Sequence, residues 1–210
     1  MRINLDGTIL SALTRIFDVL VTTVLFLICC LPVFTVGASL SAMYATMIRI
    51  ADDGCSSTVR CFFGAFKDNF KQATAFWLPV ALAGLVVAAD IVACWGFEME
   101  GTLILAVMQG LTVCCTCLYL AVSIYLFAGI AVYRVTWKQA FTNALQWTMK
   151  KLPAAGGLVL LSIGMAVSVL ILWYFAFPVI ALGLYLQAKI LLHTFGLKQP
   201  ETHVDEEIVY

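Results

Sequence analysis

An acidic residue lies inside a long apolar stretch of the sequence, where it can do chemistry that lipid-facing side chains cannot. Asp90 follows the charge-free run 72–89, and seven further uncharged residues separate it from Glu98. If residue 98 marks the outer end of a helix, Asp90 lies roughly 12 Å inside it at about 1.5 Å per residue. An acid at that depth predicts either a proton- or substrate-linked role or a structural hydrogen bond at a shallow interfacial position.

Two further polar residues are candidates for intramembrane roles. Gln109 and Asp90 are equidistant from the 99–100 turn, so a hydrogen bond between them would join the two helices of a hairpin. Lys189 lies near the end of the last apolar segment, where a lysine can extend its ammonium group to the interface. Pairing of Lys189 with an acid such as Asp18 is the alternative.

The cysteines and histidines form no recognisable metal site in the sequence. Cys114 and Cys117 are spaced to share one helix face, which permits a metal or redox pair. Only two histidines accompany the eight cysteines, and we interpret the membrane cysteines as small apolar side chains. We therefore predict no metal and no cofactor. Nucleophile-elbow, zinc-protease, P-loop and dinucleotide motifs are missing, so we expect a protein that is not an enzyme.

The composition shows what kind of elements must position these residues. The chain is 63% apolar and 11% charged, with a mean hydropathy of +1.01. A soluble domain usually carries about 25% charged residues, so most of the surface here must face lipid. The net charge is zero, which gives no global field for a nucleic acid. The partner that the composition predicts is the lipid bilayer.

Long apolar runs, broken by proline, define the expected membrane segments. Breaks at Leu31-Pro32 and Phe177-Pro178 divide two of these runs into pairs. About 20 mostly apolar residues cross a bilayer as a helix. We therefore predict a single all-α membrane domain, 1–210, that is a polytopic transmembrane helical bundle of about six membrane segments. The segments lie at about 16–34, 38–52, 74–95, 101–133, 154–175 and 177–196.

The distribution of basic residues predicts the orientation of the bundle. The loops 49–71 and 134–151 are basic, whereas the connection between their flanking spans carries only acidic residues. Basic loops stay in the cytoplasm. Six segments with both termini inside place all twelve basic residues on that side. A five-span arrangement, with 16–48 as one helix, would leave Arg2 and Arg15 outside, so six segments are favoured.

Both basic loops contain amphipathic segments. Apolar residues recur at helical spacing in 59–71 and in 136–151, with lysines alongside. We predict two cytoplasmic interfacial amphipathic helices, which either lie in the membrane plane or lead into the next span and cover the base of the bundle. The acidic tail 198–210 is expected to be a solvated terminus.

A short internal match and two stripes of small residues add to this arrangement. The pattern N-x-x-Q-x-T-x-x-x-L-P-x-A occurs at 69–81 and again at 143–155. It predicts a parallel internal repeat in which the proline opens the following span; chance similarity in an apolar background is the alternative. Small residues four apart allow close helix packing in lipid. The predicted packing residues are Gly37, Ser41 and Ala45 in one stripe and Gly84 and Ala88 in another.

Two stretches of the sequence resemble a known family. The string LPVFTVGA at 31–38, followed by SAMY at 41–44, is similar to the signature of the YesL-like bacterial membrane proteins, as is FFGAFKDNFKQ at 62–72. Ala38 departs from the proline that is common in the family. The resemblance implies a multi-pass protein of the bacterial plasma membrane, from a family without established activity or site residues.

The same resemblance suggests a biological context. Family members are often encoded near carbohydrate ABC-transporter genes, which implies an accessory role in carbohydrate uptake or sensing. The expected partners are then ABC-transporter components or other membrane proteins. The alternative is a small-molecule carrier or channel that acts by itself.

Overall fold

The protein is all-helical in the part of the chain that the structure describes, as the sequence predicts. The structure, a computed structural model, describes residues 5–52, 57–96, 103–133, 137–171 and 176–196. Seven α-helices and one short 3-10 turn account for nearly all of these residues, and they contain no strand. The helices are α1 Leu5–Cys29, α2 Val36–Ala51, α3 Thr58–Gly96, α4 Leu103–Val132, α5 Trp137–Lys150, α6 Leu152–Ile171 and α7 Ala176–Phe195.

Five helical segments are long and apolar enough to cross a membrane. They are Val33–Ala51, Thr58–Gly96, Ala106–Val132, Leu152–Ile171 and Phe177–Phe195. The 25-residue helix α1 precedes them, and its side chains are described from Leu13 onward. These segments confirm a membrane-type helical bundle. The predicted tail 198–210 and the end of the predicted segment 154–175 lie outside the described residues.

Pro32 separates α1 from α2. The sequence predicted a first segment that extends to residue 34, but α1 ends at Cys29, and Val33–Thr35 form a separate 3-10 turn. The α-helical region is disfavoured for the residue before a proline, which favours an end of α1 before Leu31. The Thr35 hydroxyl lies 2.6 Å from the Cys29 carbonyl oxygen and 2.7 Å from that of Pro32. It therefore supplies a donor to the end of α1.

The helix α3 is continuous where the sequence predicted two elements. The expected interfacial helix 59–71 and the expected segment 74–95 form one helix of 39 residues that passes through Pro79. Pro79 therefore lies inside a helix, and the prediction that it lies near the first turn of one is wrong. A proline inside a helix removes one backbone hydrogen bond. On the two sides of Pro79, Trp77 contacts Phe127 and Gly84 contacts Tyr119, and both partners lie on α4.

The second copy of the repeat does break near its proline. Helix α5 ends at Lys150, and Pro153 lies in the first turn of α6, where a proline is tolerated.

On α5, Ala140, Ala144 and Thr148 are buried. The apolar face that the sequence predicts points away from the protein, since Phe141 is 54% exposed and Leu152, at the start of α6, is 64% exposed.

Helix α2 occupies the centre of the bundle. It packs against α1, α3, α4 and α7, and nearly every side chain from Gly37 to Ile50 is buried. Ala38, Ala42, Met43 and Met47 are fully inaccessible to solvent. Small side chains along α2 let the surrounding helices approach closely, which is how helices gain packing energy in lipid.

Helix α3 beyond Pro79 is very different. None of its side chains is buried, and Leu85 and Val86 are more than 60% exposed. Its main neighbour there is α4, which shares the same exposed, apolar character near its beginning. This hairpin of α3 and α4 carries the acid that the sequence singles out.

Candidate functional site

Asp90 lies on α3 and is bound by a hydroxyl from α4. Its Oδ2 atom is 2.9 Å from the Thr112 hydroxyl, which also lies 3.1 Å from the Met108 carbonyl oxygen and shares its one proton between them. The thiol of Cys94, one turn further along α3, is 4.0 Å from Asp90 Oδ1 and 3.4 Å from the Thr112 hydroxyl. The three side chains form a small polar cluster, here called the Asp90 cluster, between the two helices.

Gln109 belongs to the same hairpin but does not bind Asp90. Its Nε2 atom donates to the Cys94 carbonyl oxygen at 3.3 Å. The expected Asp90–Gln109 hydrogen bond is therefore replaced by two others, Asp90 to Thr112 and Gln109 to Cys94. Counting residues from the turn cannot predict this register, because it depends on how the two helices pack against each other.

One close contact of the hairpin lies at Gly84. The Tyr119 hydroxyl donates to the Val80 carbonyl oxygen at 3.0 Å, and a Cβ atom at Gly84 would lie 2.5 Å from that hydroxyl oxygen. Gly84 thus allows the tyrosine to reach the α3 backbone. Ala88, the other member of this predicted packing stripe, is exposed.

The chemistry open to the Asp90 cluster is limited. Asp90 is exposed and forms no ion pair with any residue in the described ranges. The described residues contain no group of three or more metal-ligating side chains. What the geometry provides is a carboxylate that accepts one hydroxyl hydrogen bond and cross-links α3 to α4. A proton- or substrate-linked role for Asp90 stays a prediction.

A second polar cluster lies in the interior, and the sequence reasoning missed it. Gln187 of α7 is 1% exposed and bridges two helices. Its Oε1 atom accepts from the Tyr44 hydroxyl of α2 at 3.2 Å, and its Nε2 atom donates to the Ser162 hydroxyl of α6 at 2.9 Å. Ser162 passes its own proton to the Leu158 carbonyl oxygen at 2.9 Å. A lone glutamine in an apolar segment is the signal that could have drawn attention to it.

The predicted packing stripe on α2 faces the interior. A Cβ atom at Gly37 would lie 2.5 Å from the Ala73 carbonyl oxygen and 2.7 Å from the Trp77 Cβ, so α2 and α3 touch almost backbone to backbone. Ser41 and Ala45 follow one and two turns later, and both are buried. The Ser41 hydroxyl has no hydrogen-bond partner among the described residues.

Lys189 lies on the outer surface of α7 and is not paired with Asp18. The Asp18 carboxylate accepts from the Thr58 hydroxyl, at the beginning of α3, at 2.6 Å. Lys189 forms no ion pair with any residue in the part of the chain that the structure describes. It faces a groove between α6 and α7 that has a volume of about 440 Å³.

Two other pockets of the described surface are lined by apolar or weakly polar residues. One of about 590 Å³ follows α3 from Leu85 to Gly96, and one of about 240 Å³ lies between α3, α4 and Ile163 of α6. Thr112 lines the second, so the Asp90 cluster borders this pocket through its hydroxyl-bearing member. Neither pocket adds a charged side chain to the cluster.

Part of the chain is similar to a family of unknown function. A family model described as "Protein of unknown function, DUF624" matches residues 19–91, which extend from α1 through α2 to the Asp90 region of α3. Comparison with curated proteins finds no match. Comparison with solved structures finds none either.

Proposed function

We propose that the protein is an accessory component of carbohydrate uptake or sensing in the bacterial plasma membrane. In this proposal it has no catalytic activity and acts through other membrane proteins, such as ABC-transporter components. Both termini lie in the cytoplasm, where the basic residues are retained. The carbohydrate context rests on the resemblance of the 31–44 and 62–72 strings to the YesL-like proteins.

The observation that carries the proposal is the filled centre of the bundle. A carrier needs a polar path near the middle of the membrane. Here α2 occupies the centre, and Met43, Met47 and Tyr125 are among the largest fully buried side chains. The two hydrogen bonds of Gln187 use its amide to join helices, which favours a structural purpose over substrate binding.

The exposed hairpin of α3 and α4 supports an action through partners. Its apolar side chains, such as Leu85 and Val86, contact lipid or another membrane protein, since the rest of the described chain does not cover them. Helices pack against each other in lipid through small residues, and the pocket along α3 is lined partly by Ala88, Ala89 and Ala93. This surface is available for a partner.

Affinity purification from native membranes tests the partner role. The tagged full-length protein, solubilised in mild detergent, is expected to retain carbohydrate-transporter subunits that an unrelated tagged polytopic protein does not retain. The variant Ala89→Trp, which projects a large ring from the exposed face of α3, is expected to reduce this retention. Equal recovery from both baits would contradict the proposal.

Reconstitution separates this function from the alternative of an independent carrier or channel. The purified protein alone in proteoliposomes is expected to give no sugar flux above protein-free liposomes. Flux that appears with the wild-type protein and disappears with Asp90→Asn, at equal incorporation, would instead establish the carrier and assign Asp90 to its mechanism.

A further inference from the structure

The groove between α6 and α7 combines apolar walls with positive charge at one end. Ala154 and Leu161 of α6 and Leu186 and Ile190 of α7 supply the walls. Both helices are long and apolar enough to cross a membrane, so the groove opens toward lipid. Its volume of about 440 Å³ lies within the range of roughly 300–1,000 Å³ that is usual for ligand sites.

Two side chains of α7 provide the polar end of the groove. Lys189 and His193 are one turn apart, line the groove together and are both exposed. Lys189 precedes the end of α7 at Phe195 by six residues, which is about 9 Å along the helix axis. At that depth a lysine reaches the interface with its ammonium group while its methylene chain stays among apolar neighbours.

A second lysine lies beside these two side chains. Lys151, between α5 and α6, donates from Nζ to the Thr194 carbonyl oxygen near the end of α7. Thr194 itself lines the groove, and no acidic residue lines it. The excess of positive charge is therefore local and has no counterion among the described residues that line the groove. A ligand that completes the site must be anionic at one end and apolar along its length.

We propose that this groove binds an anionic phospholipid. The headgroup phosphate lies between Lys189 and His193, with Lys151 adding charge from the side, and one acyl chain follows the apolar walls of α6 and α7. Basic pockets between membrane helices bind anionic headgroups in this way. The proposal goes beyond the accessory function, because it holds whether or not a transporter partner exists.

Native mass spectrometry of the purified full-length protein tests the site. The probes are phosphatidylglycerol, phosphatidylcholine and inorganic phosphate, each titrated into detergent-solubilised protein. Phosphatidylglycerol is expected to bind more tightly than phosphatidylcholine, and inorganic phosphate alone is expected not to bind, because it cannot occupy the apolar walls. Binding of inorganic phosphate that matches that of phosphatidylglycerol would overturn the lipid assignment.

Charge-removal variants locate the headgroup. Lys189→Gln is expected to weaken phosphatidylglycerol binding by about fivefold, which corresponds to about 1 kcal/mol for one lysine charge near an anionic headgroup. The matched control is Lys138→Gln, which removes one exposed cation of α5 that does not line the groove. Equal weakening by Lys189→Gln and Lys138→Gln would show a diffuse surface effect and overturn the proposal.

A groove-filling variant tests the acyl chain independently. Ala154→Phe places a ring against the wall of the groove and leaves the cations in place. It is expected to lower phosphatidylglycerol binding at least fivefold while the protein remains monodisperse by size-exclusion chromatography. Unchanged binding in a monodisperse Ala154→Phe variant would show that the lipid lies elsewhere. If that variant aggregates, Leu161→Phe on the same helix serves the same test.

Discussion

Helix α2 and the part of α3 beyond Pro79 are both apolar, but α2 is buried inside the bundle and that part of α3 is exposed on its surface. Among the membrane-length segments, the one that contains α2 has a lower mean hydropathy than the one formed by α3. Nevertheless α2 is buried nearly throughout, and residues 79–96 of α3 are exposed or only half-buried. Of these two helices, the less hydrophobic one therefore lies at the centre of the protein.

The physical reason is that lipid removes the usual penalty for exposing apolar side chains. Helices associate in a bilayer through close packing and interhelical hydrogen bonds rather than through the hydrophobic effect. Helix α2 offers both, since Gly37 touches the α3 backbone and Tyr44 binds Gln187. Beyond Pro79, α3 forms its interhelical hydrogen bonds within the described part of the chain with α4 alone, and its exposed valines and leucines take no part in them, so lipid can occupy the remaining sides of the helix.

Among the tests of this contrast between α2 and α3, the largest loss of stability is expected from a larger side chain at Gly37. Gly37→Leu would place side-chain atoms within the space of the Ala73 carbonyl group, where neither backbone can give way. Overpacking of a tight core usually costs about 1–3 kcal/mol, and a contact between two backbones is expected to exceed about 3 kcal/mol. Thermal unfolding and size-exclusion chromatography in detergent would show loss of the folded, monodisperse species.

Gly110→Leu on α4 is the matched control for Gly37→Leu. A Cβ atom at Gly110 meets nothing within 4 Å, and leucine is the better helix former. Its stability should equal or slightly exceed that of the wild type. A Gly37→Leu protein as stable as Gly110→Leu would mean that α2 is not held by close packing.

Two methionine-to-alanine variants compare the loss of stability at a buried site on α2 with that at an exposed site on α4. Met47 of α2 is fully buried, whereas Met108 of α4 is 47% exposed. Met47→Ala leaves a cavity and is expected to lower the free energy of unfolding by about 2 kcal/mol or more. Met108→Ala leaves space that lipid or detergent fills, so its effect is expected to be several-fold smaller in the same unfolding assay. Equal losses for the two variants would remove the distinction between the helices.

The hydrogen bond between Tyr44 and Gln187 has a smaller expected effect. A double-mutant cycle of Tyr44→Phe and Gln187→Leu isolates the interaction. Interhelical hydrogen bonds in membrane proteins contribute about 0.6 kcal/mol on average and up to about 1.7 kcal/mol. We expect a coupling free energy within that range from unfolding in detergent. Additive losses would show that the hydrogen bond does not anchor α7 to α2.

The smallest effect is expected at Asp90. Asp90→Asn keeps a carbonyl oxygen that can accept from Thr112, and the residue is exposed. The change in the free energy of unfolding should stay within about 0.5 kcal/mol, as for surface substitutions. A loss as large as that of Met47→Ala would mean that the Asp90 cluster stabilises the bundle as much as the buried core of α2 does, contrary to the contrast between the two helices.

The repeat shows how far local patterns predict helix boundaries. The same L-P-x-A string occurs at Leu78–Ala81 and Leu152–Ala155, and both copies predict a helix start. The prediction holds for α6 and fails for α3. A proline inside a helix costs about 3 kcal/mol, which tertiary contacts can offset. The two copies have different neighbours, so the local string does not determine whether the helix continues.

The residues of the candidate site were likewise predicted only in part from the sequence. The sequence singled out Asp90, Gln109 and Lys189 because polar residues stand out in apolar runs. It did not predict Thr112 as the partner of Asp90, since a threonine in a membrane helix usually bonds its own backbone. Nor did the sequence reasoning single out Gln187, although Gln187, like Gln109, is a glutamine within a long apolar run.

The sequence by itself determined that this protein is a helical membrane bundle. In lipid every backbone polar group must be paired within the protein, so long apolar runs without charges have to form helices. The tertiary structure alone decided that α2 is central, that α3 continues through Pro79 and that Asp90 bonds Thr112. These features depend on contacts between residues far apart in the chain, and in a bilayer hydrophobicity does not distinguish the inward side of a helix from the lipid side.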